Sequence, residues 1–272
     1  MSDECTKDCK TCTRDCGEQE SLIKTPHQRS SINKVIAVLS GKGGVGKSIV
    51  TSMLAVLMQR KGYNAAIMDL DITGPSIPRA FGLKQRVTAD EDGLNPVVSE
   101  TGIQIMSINL LLQNETDPVV WRGPVIANVA TQFWTDVIWK DVDYMFIDMP
   151  PGTGDIALTT FQSIPLDGAV IVTSPQEIVS MVVEKAVNMA GMMGVSVLGL
   201  VENMSYITCP DCGKKIELFG RSSTSQTAGK HGLDILSAIP IEPGLAAAVD
   251  AGKIENFKGT WLDALADIIE KP

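Results

Sequence analysis

Gly41-Lys42-Gly43-Gly44-Val45-Gly46-Lys47-Ser48 is the stretch on which the fold turns. It fits the phosphate-binding pattern G-x-x-x-x-G-K-[ST]. Residues 35–39 before it, Val-Ile-Ala-Val-Leu, are a short apolar run rich in β-branched side chains. Residues 49–61 after it carry apolar side chains at helical spacing. Strand, glycine loop and helix in that order separate a nucleotide site from a glycine-rich turn that holds nothing. The glycines let successive backbone N–H groups face one phosphate, and the helix N-terminus adds its dipole. Lys47 is then the cation for the β- and γ-phosphates, and the Ser48 hydroxyl is a ligand for Mg²⁺.

The chain has 272 residues, enough for one sizeable α/β core, so one main domain is expected. The hydrophobic share of 44% suits a soluble globular protein. No segment approaches the ~20 apolar residues that span a bilayer. Residues 1–20 are polar and cysteine-bearing, without the apolar centre of a signal peptide. A cytoplasmic location follows as the expectation, and there six cysteines favour metal binding over disulfides. The net charge of −9 argues against broad binding to a nucleic-acid backbone.

Three unequal parts are expected. Residues 1–30 form a polar tail with four cysteines. The domain, residues 31–272, alternates apolar strand runs with helical stretches, which predicts a doubly wound, mostly parallel sheet with helices on both faces. A cysteine-bearing insertion near 204–219 interrupts it. Strands are predicted at 35–39, 65–68, 103–108, 144–148, 169–173, 195–201 and 235–239. Helices are predicted at 48–61, 125–139, 154–164, 177–193, 222–230 and 261–269.

Two acidic stretches follow predicted strands: Asp69-Leu70-Asp71 and Asp148-Met149-Pro150-Pro151-Gly152-Thr153-Gly154-Asp155. Carboxyl ends of parallel strands are where open α/β sheets bind ligands. An aspartate there holds Mg²⁺ through water or orients an attacking water. Asp69 and Asp155 fit such a role or a simple capping role.

Cys209-Pro210-Asp211-Cys212 is a second chemistry. Two thiolates on one tight turn suit a metal or cluster, yet zinc or an iron–sulfur cube takes four ligands. A symmetric dimer completes the set. Bridging cluster, zinc and redox dithiol are the uses that compete.

Lys42, after the first loop glycine, resembles the deviant loop of the MinD/ParA/nitrogenase-iron-protein class. The resemblance implies a homodimer in which Lys42 reaches the partner's nucleotide and stabilises charge in the transition state. Over residues 32–250 the chain resembles more narrowly the Mrp/ApbC group of iron–sulfur carrier ATPases. The matching stretches are 41–48, 69–76, Trp121-Arg122-Gly123-Pro124, Gln132-Phe133, 143–155, Thr173-Ser174-Pro175-Gln176, Asn203-Met204-Ser205 and 209–213. This resemblance implies a slow ATPase that holds a [4Fe–4S] cluster between Cys209 and Cys212 of two subunits and passes it to apoproteins. It implies that Asp71 positions the lytic water and that Asp148 lies near Mg²⁺. It further implies that the Gly152 N–H faces the γ-phosphate, that Asn203 reads the adenine and that residues 240–243 border the base.

The tail departs from the common form of that group. Cys5, Cys9, Cys12 and Cys16 lie on one face if helical, and equally suit an irregular loop. A second cluster, a zinc site and a disordered tail stay open. Ile49 replaces the usual threonine and leaves the Ser48 hydroxyl in place. His27 and His231 are expected at the surface. Met181, Met189, Met192 and Met193 are expected as core filling on a helix, and Trp134 and Trp139 as packed residues of another. Arg122 is expected to have an interface or loop-anchoring role.

A positioning or partition ATPase shares the loop but favours a basic amphipathic C-terminal helix, whereas residues 261–270 are acidic. A reductase like the nitrogenase iron protein draws its cluster ligands from separated cysteines rather than one Cys-x-x-Cys. The expected partners are therefore a second copy and recipient apoproteins, with neither nucleic acid nor membrane.

Overall fold

A computed structural model describes residues 22–71, 76–112, 123–175, 179–220 and 224–271. Cys5, Cys9, Cys12, Cys16, Trp121 and Arg122 lie outside the described residues, as do the side chains of 123–127, 179–182 and 225–227.

In chain order the strands are β1 Ile32–Ser40, β2 Ala65–Asp69, β3 Thr88–Ala89, β4 Leu94–Asn95, β5 Val97–Val98 and β6 Gln104–Ser107. They continue with β7 Val142–Asp148, β8 Gly168–Thr173, β9 Val197–Glu202, β10 Ile207–Thr208, β11 Lys215–Ile216 and β12 Ile235–Ala238. The helices are α1 Lys47–Arg60, α2 Ser76–Ala80, α3 Gly123–Thr135, α4 Asp155–Ser163, α5 Val179–Met192, α6 Thr224–Lys230, α7 Pro243–Asp250 and α8 Asp263–Ile269.

Eight strands form one sheet in the order β12-β9-β8-β1-β7-β2-β6-β5. All pairs are parallel except the edge pair β5–β6. Alternation along β1 explains why the strands read as continuous apolar runs. Ile36 and Val38 pack on one face with Val50 and Leu54 of α1 and Leu265 of α8. Val35, Ala37 and Leu39 pack on the other with Phe133 and Trp134 of α3, Phe161 of α4 and Val183 of α5. Both faces are covered, so neither needs a polar residue. Full burial of each of the Val, Ile, Leu and Phe side chains stabilises the fold by about 2 kcal/mol. Helix α1 stops where Gly62, at φ +95°, takes the left-handed conformation that ends a helix cheaply.

The central expectation holds: the sheet is doubly wound and mostly parallel. Several details differ. Helix α3 ends at Thr135, because the Asp136 carbonyl accepts from Leu94 N–H and the Ile138 N–H donates to Leu94 C=O, both at 2.9 Å. Trp139 therefore packs inward from an extended segment, not from a helix, with its indole N–H donated to Phe133 C=O at 3.0 Å. Met189 and Met193 pack against the core. Met192 is 82% exposed at the last residue of α5 and fills no core space. Helices α2 and α7 and the hairpins β3–β4 and β10–β11 were not expected. Residues 24–31 lie along the domain. Lys24 N–H donates to Ser163 C=O, Trp134 Nε1–H donates to Lys24 C=O, both at 2.8 Å, and Ser31 N–H donates to Trp139 C=O at 2.9 Å. His27 and His231 are both half-buried, His27 with Nε2 2.9 Å from the Asp92 carbonyl.

Candidate functional site

The loop between β1 and α1 carries residues 41–46, and its shape rests on glycine at two positions. Gly44 and Gly46 have φ of +78° and +79°, in the left-handed region that side chains avoid. Helix α1 begins at Lys47 with Gly46 as its N-cap, so the first N–H groups of α1 open onto the loop.

Lys47 is 5% exposed and points at two carboxylates, Asp148 Oδ1 at 2.8 Å and Asp71 Oδ2 at 3.5 Å. Asp148 is wholly buried at the end of β7. Ser48 Oγ donates to its Oδ2 at 2.6 Å, and Thr51 Oγ1 donates to its Oδ1 at 2.8 Å. Both oxygens are thus held by α1. Ser48 and Asp148 offer adjacent oxygen donors of the kind Mg²⁺ prefers, so the residues present fit that ion.

Asp69 sits beside Asp148 because β2 and β7 pair in register at these two residues. Burial, and then the Asp148 charge, raise its carboxyl to about 8. Its oxygens accept Ser107 Oγ–H at 2.8 Å and Asp71 N–H at 3.0 Å. Asp69 therefore holds the backbone on which Asp71 stands. Asp155 is exposed in the first turn of α4.

The remaining expected residues surround this centre. Lys42 is half-buried in the loop. Gly152, at φ +89°, donates its N–H to Ser40 C=O at 2.8 Å. Asn203 follows β9 and donates Nδ2–H to Val45 C=O of the loop at 2.9 Å. Residues 240–243 lead into α7, and Ile241 N–H bonds Tyr206 C=O at 2.8 Å. Thr51 and Ser107 were not foreseen. Thr51 was readable as the residue one helical turn beyond Lys47, whereas Ser107 depends on β6 lying beside β2.

Six residues beyond Asn203, Cys209 opens the connection of the β10–β11 hairpin. Cys209 N–H donates to Lys214 C=O, and Gly213 N–H donates to Cys209 C=O, both at 2.9 Å, which closes a tight knuckle. Backbone N–H groups of Cys212 and Asp211, and the Cys212 thiol, bond the Cys209 sulfur and lower its pKa. Residues 210–220 are exposed, among them the large apolar Ile216, Leu218 and Phe219. Among the described residues, no group of three or more His, Cys, Asp or Glu is placed to hold a metal ion. No helix among them is long and apolar enough to cross a membrane.

Comparison with known proteins places the chain in a family. Residues 31–271 match the ParA-type family described as the NUBPL iron-transfer P-loop NTPases. An iron-sulfur cluster carrier protein of Clostridium perfringens is 45% identical over 92% of this chain and 90% of its own length. One of Saccharolobus solfataricus is 43% identical over 85% and 79%. A nucleotide-binding protein of Archaeoglobus fulgidus, solved in complex with ADP and with cobalt found in it, superposes at a TM-score of 0.77. It is 44% identical, over 85% of this chain and 91% of that one. The cell division ATPase MinD of Pyrococcus furiosus, at 18% identity and a TM-score of 0.61, shares the fold. A profile match across the whole domain, and relatives this similar over most of their length, place the chain in the family of NUBPL iron-transfer P-loop NTPases.

Proposed function

We propose that this protein is an ATP-hydrolysing carrier that assembles a [4Fe–4S] cluster between two copies of the chain and delivers it to apoproteins. One observation carries the proposal. A knuckle with two cysteines, Cys212 exposed and Cys209 half-buried, begins six residues from a side chain that touches the phosphate-binding loop. Two thiolates are half a ligand set for a cube, so a second copy supplies the other half.

Lys47 and the backbone of 41–48 bind the β- and γ-phosphates. Ser48 and Asp148 hold Mg²⁺, which neutralises charge on the same phosphates. Asp71 orients the water whose oxygen attacks the γ-phosphorus as the bond to ADP breaks. Lys42 of one copy faces the nucleotide bound to the other and stabilises the transition state. Asn203 lies toward the adenine. For the Gly152 N–H to reach a γ-phosphate, its bond to Ser40 must open, so triphosphate binding and a change in this loop go together. Cys5, Cys9, Cys12 and Cys16 supply four thiolates within one chain for a second cluster. The testing experiment is anaerobic reconstitution of the full chain with iron and sulfide, followed by iron counts per dimer. Cys209→Ser should lose the bridging cluster. Unchanged iron in that variant overturns the assignment.

A further inference from the structure

Asn203 touches the phosphate-binding loop directly and is joined to the cysteines through the five residues 204–208. It is 7% exposed, and its amide is engaged at both ends. Nδ2–H donates to Val45 C=O at 2.9 Å, and Oδ1 accepts Met204 N–H at 2.9 Å. The Val45 carbonyl shares a peptide plane with the Gly46 N–H. The described chain has no cis peptide, so the two groups point in opposite directions. Fixing the carbonyl on Asn203 turns the Gly46 N–H away from it. In a loop of this kind, such N–H groups are what a phosphate meets. The packing is equally tight: a Cβ on Gly46 would lie 2.2 Å from Asn203 Nδ2.

On its other side Asn203 leads straight to the cysteines. Asn203 N–H is tied to Thr173 C=O and Ser205 N–H to Ile239 C=O, both at 2.9 Å, and Ile241 N–H is tied to Tyr206 C=O at 2.8 Å. Ser205 Oγ donates to the Glu202 carbonyl at 2.7 Å, with the Glu202 carboxylate at 3.0 Å. Met204 is held at φ +57°, a left-handed conformation uncommon for this residue type. The Lys215 ammonium lies 4.3 Å from the centre of the Tyr206 ring, which fastens β11 to the base of the hairpin. Strand β10 begins at the next residue, and Cys209 follows it. A segment pinned this often has little slack to absorb a displacement at Asn203.

We propose that Asn203 is a positioning residue with two duties. It orients the Val45–Gly46 peptide for phosphate, and through residues 204–208 it makes the geometry of Cys209 and Cys212 respond to the state of the loop. This rests on the reading of residues 41–48 as an ATP site and goes beyond a role in reading the base. The neutral amide has a second N–H and further acceptor capacity, so contact with adenine is compatible with it. Linkage makes the coupling reciprocal: if nucleotide alters the thiol pair, a metal on the thiols alters nucleotide affinity by the same factor.

The test uses the full chain, reduced and metal-free, as wild type, Asn203→Ala and Asn203→Asp. Asn203→Asp keeps the size and the acceptor for Met204 N–H, but replaces the donor to Val45 by an oxygen and adds a carboxylate charge, so the neutral Asn203→Ala carries the expected magnitude. Calorimetry with Mg²⁺ and tripolyphosphate, which has no base, isolates the phosphate duty. Asn203→Ala should bind it about tenfold more weakly, the value of one hydrogen bond of ~1.4 kcal/mol, and Asn203→Asp more weakly still because its charge repels the anion. Peptide-resolved alkylation of Cys209 and Cys212 by iodoacetamide reads the second duty. In wild type the rates should change several-fold on adding MgATP, and in the variants at saturating MgATP they should not. Variants that bind tripolyphosphate as tightly as wild type overturn the positioning role. Wild-type rates indifferent to MgATP overturn the coupling. Wild type that binds neither ATP nor tripolyphosphate overturns the nucleotide site itself.

Discussion

Lys47 Nζ stands 2.8 Å from Asp148 Oδ1, and that carboxylate is wholly buried under α1. The pair aims the loop's cation before any phosphate arrives. A buried carboxylate that loses its cation costs more than the pair contributes, because the desolvation penalty remains. Lys47→Ala should therefore lose ATP binding and also about 3 kcal/mol of folding stability. Adding Asp148→Asn to Lys47→Ala should recover most of the stability and none of the binding. Denaturant unfolding without nucleotide measures this; a single variant as stable as wild type would show that the Ser48 and Thr51 hydroxyls satisfy Asp148 without the cation.

Asp71 is less buried than its neighbours and touches Lys47 only at 3.5 Å. Its removal should spare binding and strike hydrolysis. Asp71→Ala should retain ADP and ATP affinity within a few-fold while turnover falls about 10²-fold, the usual effect of deleting one transition-state contact. Lys42→Ala should show the same split if it acts on the partner's nucleotide. Phosphate release at saturating ATP decides, and wild-type turnover in Asp71→Ala removes it as the water-orienting group.

Asp69 makes a prediction in pH. Its carboxyl is raised from the ordinary 3.8 to about 8, chiefly by burial and next by Asp148. Below pH ~4 it is protonated folded and unfolded and imposes no penalty. Between pH ~4 and ~8 the folded state keeps a proton that the unfolded state releases, so its contribution to stability falls as pH rises. Above ~8 the full penalty is present and constant. Asp69→Asn keeps an acceptor for the Asp71 N–H, meets the Ser107 hydroxyl with an N–H so that the hydroxyl accepts, and lacks the charge. Its melting temperature minus that of wild type, measured without Mg²⁺ or nucleotide, should climb from pH 4 to 8 and then level. A flat difference rejects the raised carboxyl.

How much of this could be read in advance follows from where the information lies. The strands around the loop are covered on both faces, so Val35 to Leu39 announce themselves as one apolar run. Gly44, Gly46, Lys47 and Ser48 are local pattern. Thr51 was legible too, one turn from Lys47 on the same helix. Helix α7 had its signal in Glu242-Pro243, a side-chain cap at 3.0 Å to Gly244 N–H with proline in the first turn. The end of α3 was not local, because Leu94, far along the chain, takes the Asp136 and Ile138 backbone groups. The Ser107–Asp69 bond likewise needs the strand order. Met192 lies on the face of α5 that also carries the exposed Lys185 and Asn188, seven and four residues earlier, so the helical period already pointed it to solvent and only its apolar character suggested core.

The last prediction concerns the cysteines in two places. Cys209 and Cys212 give each chain half a ligand set, whereas Cys5, Cys9, Cys12 and Cys16 give each chain a whole one. If four thiolates hold each cube, a reconstituted dimer should carry about three clusters, one shared and one per tail. Serine at the four tail positions should leave about one, and serine at Cys209 and Cys212 about two. The tail clusters should then need no dimer, so the second variant should hold its iron as a monomer. Truncation is the poorer probe unless it stops before Leu22. A chain starting at Ser30 loses the Lys24 bonds to Ser163 and Trp134, and should melt lower for reasons unrelated to iron. ATP hydrolysis should survive the tail substitutions, since no residue of the loop lies there. Equal iron per chain in wild type and the tail variant would remove the second cluster and leave Cys209 and Cys212 as the one site.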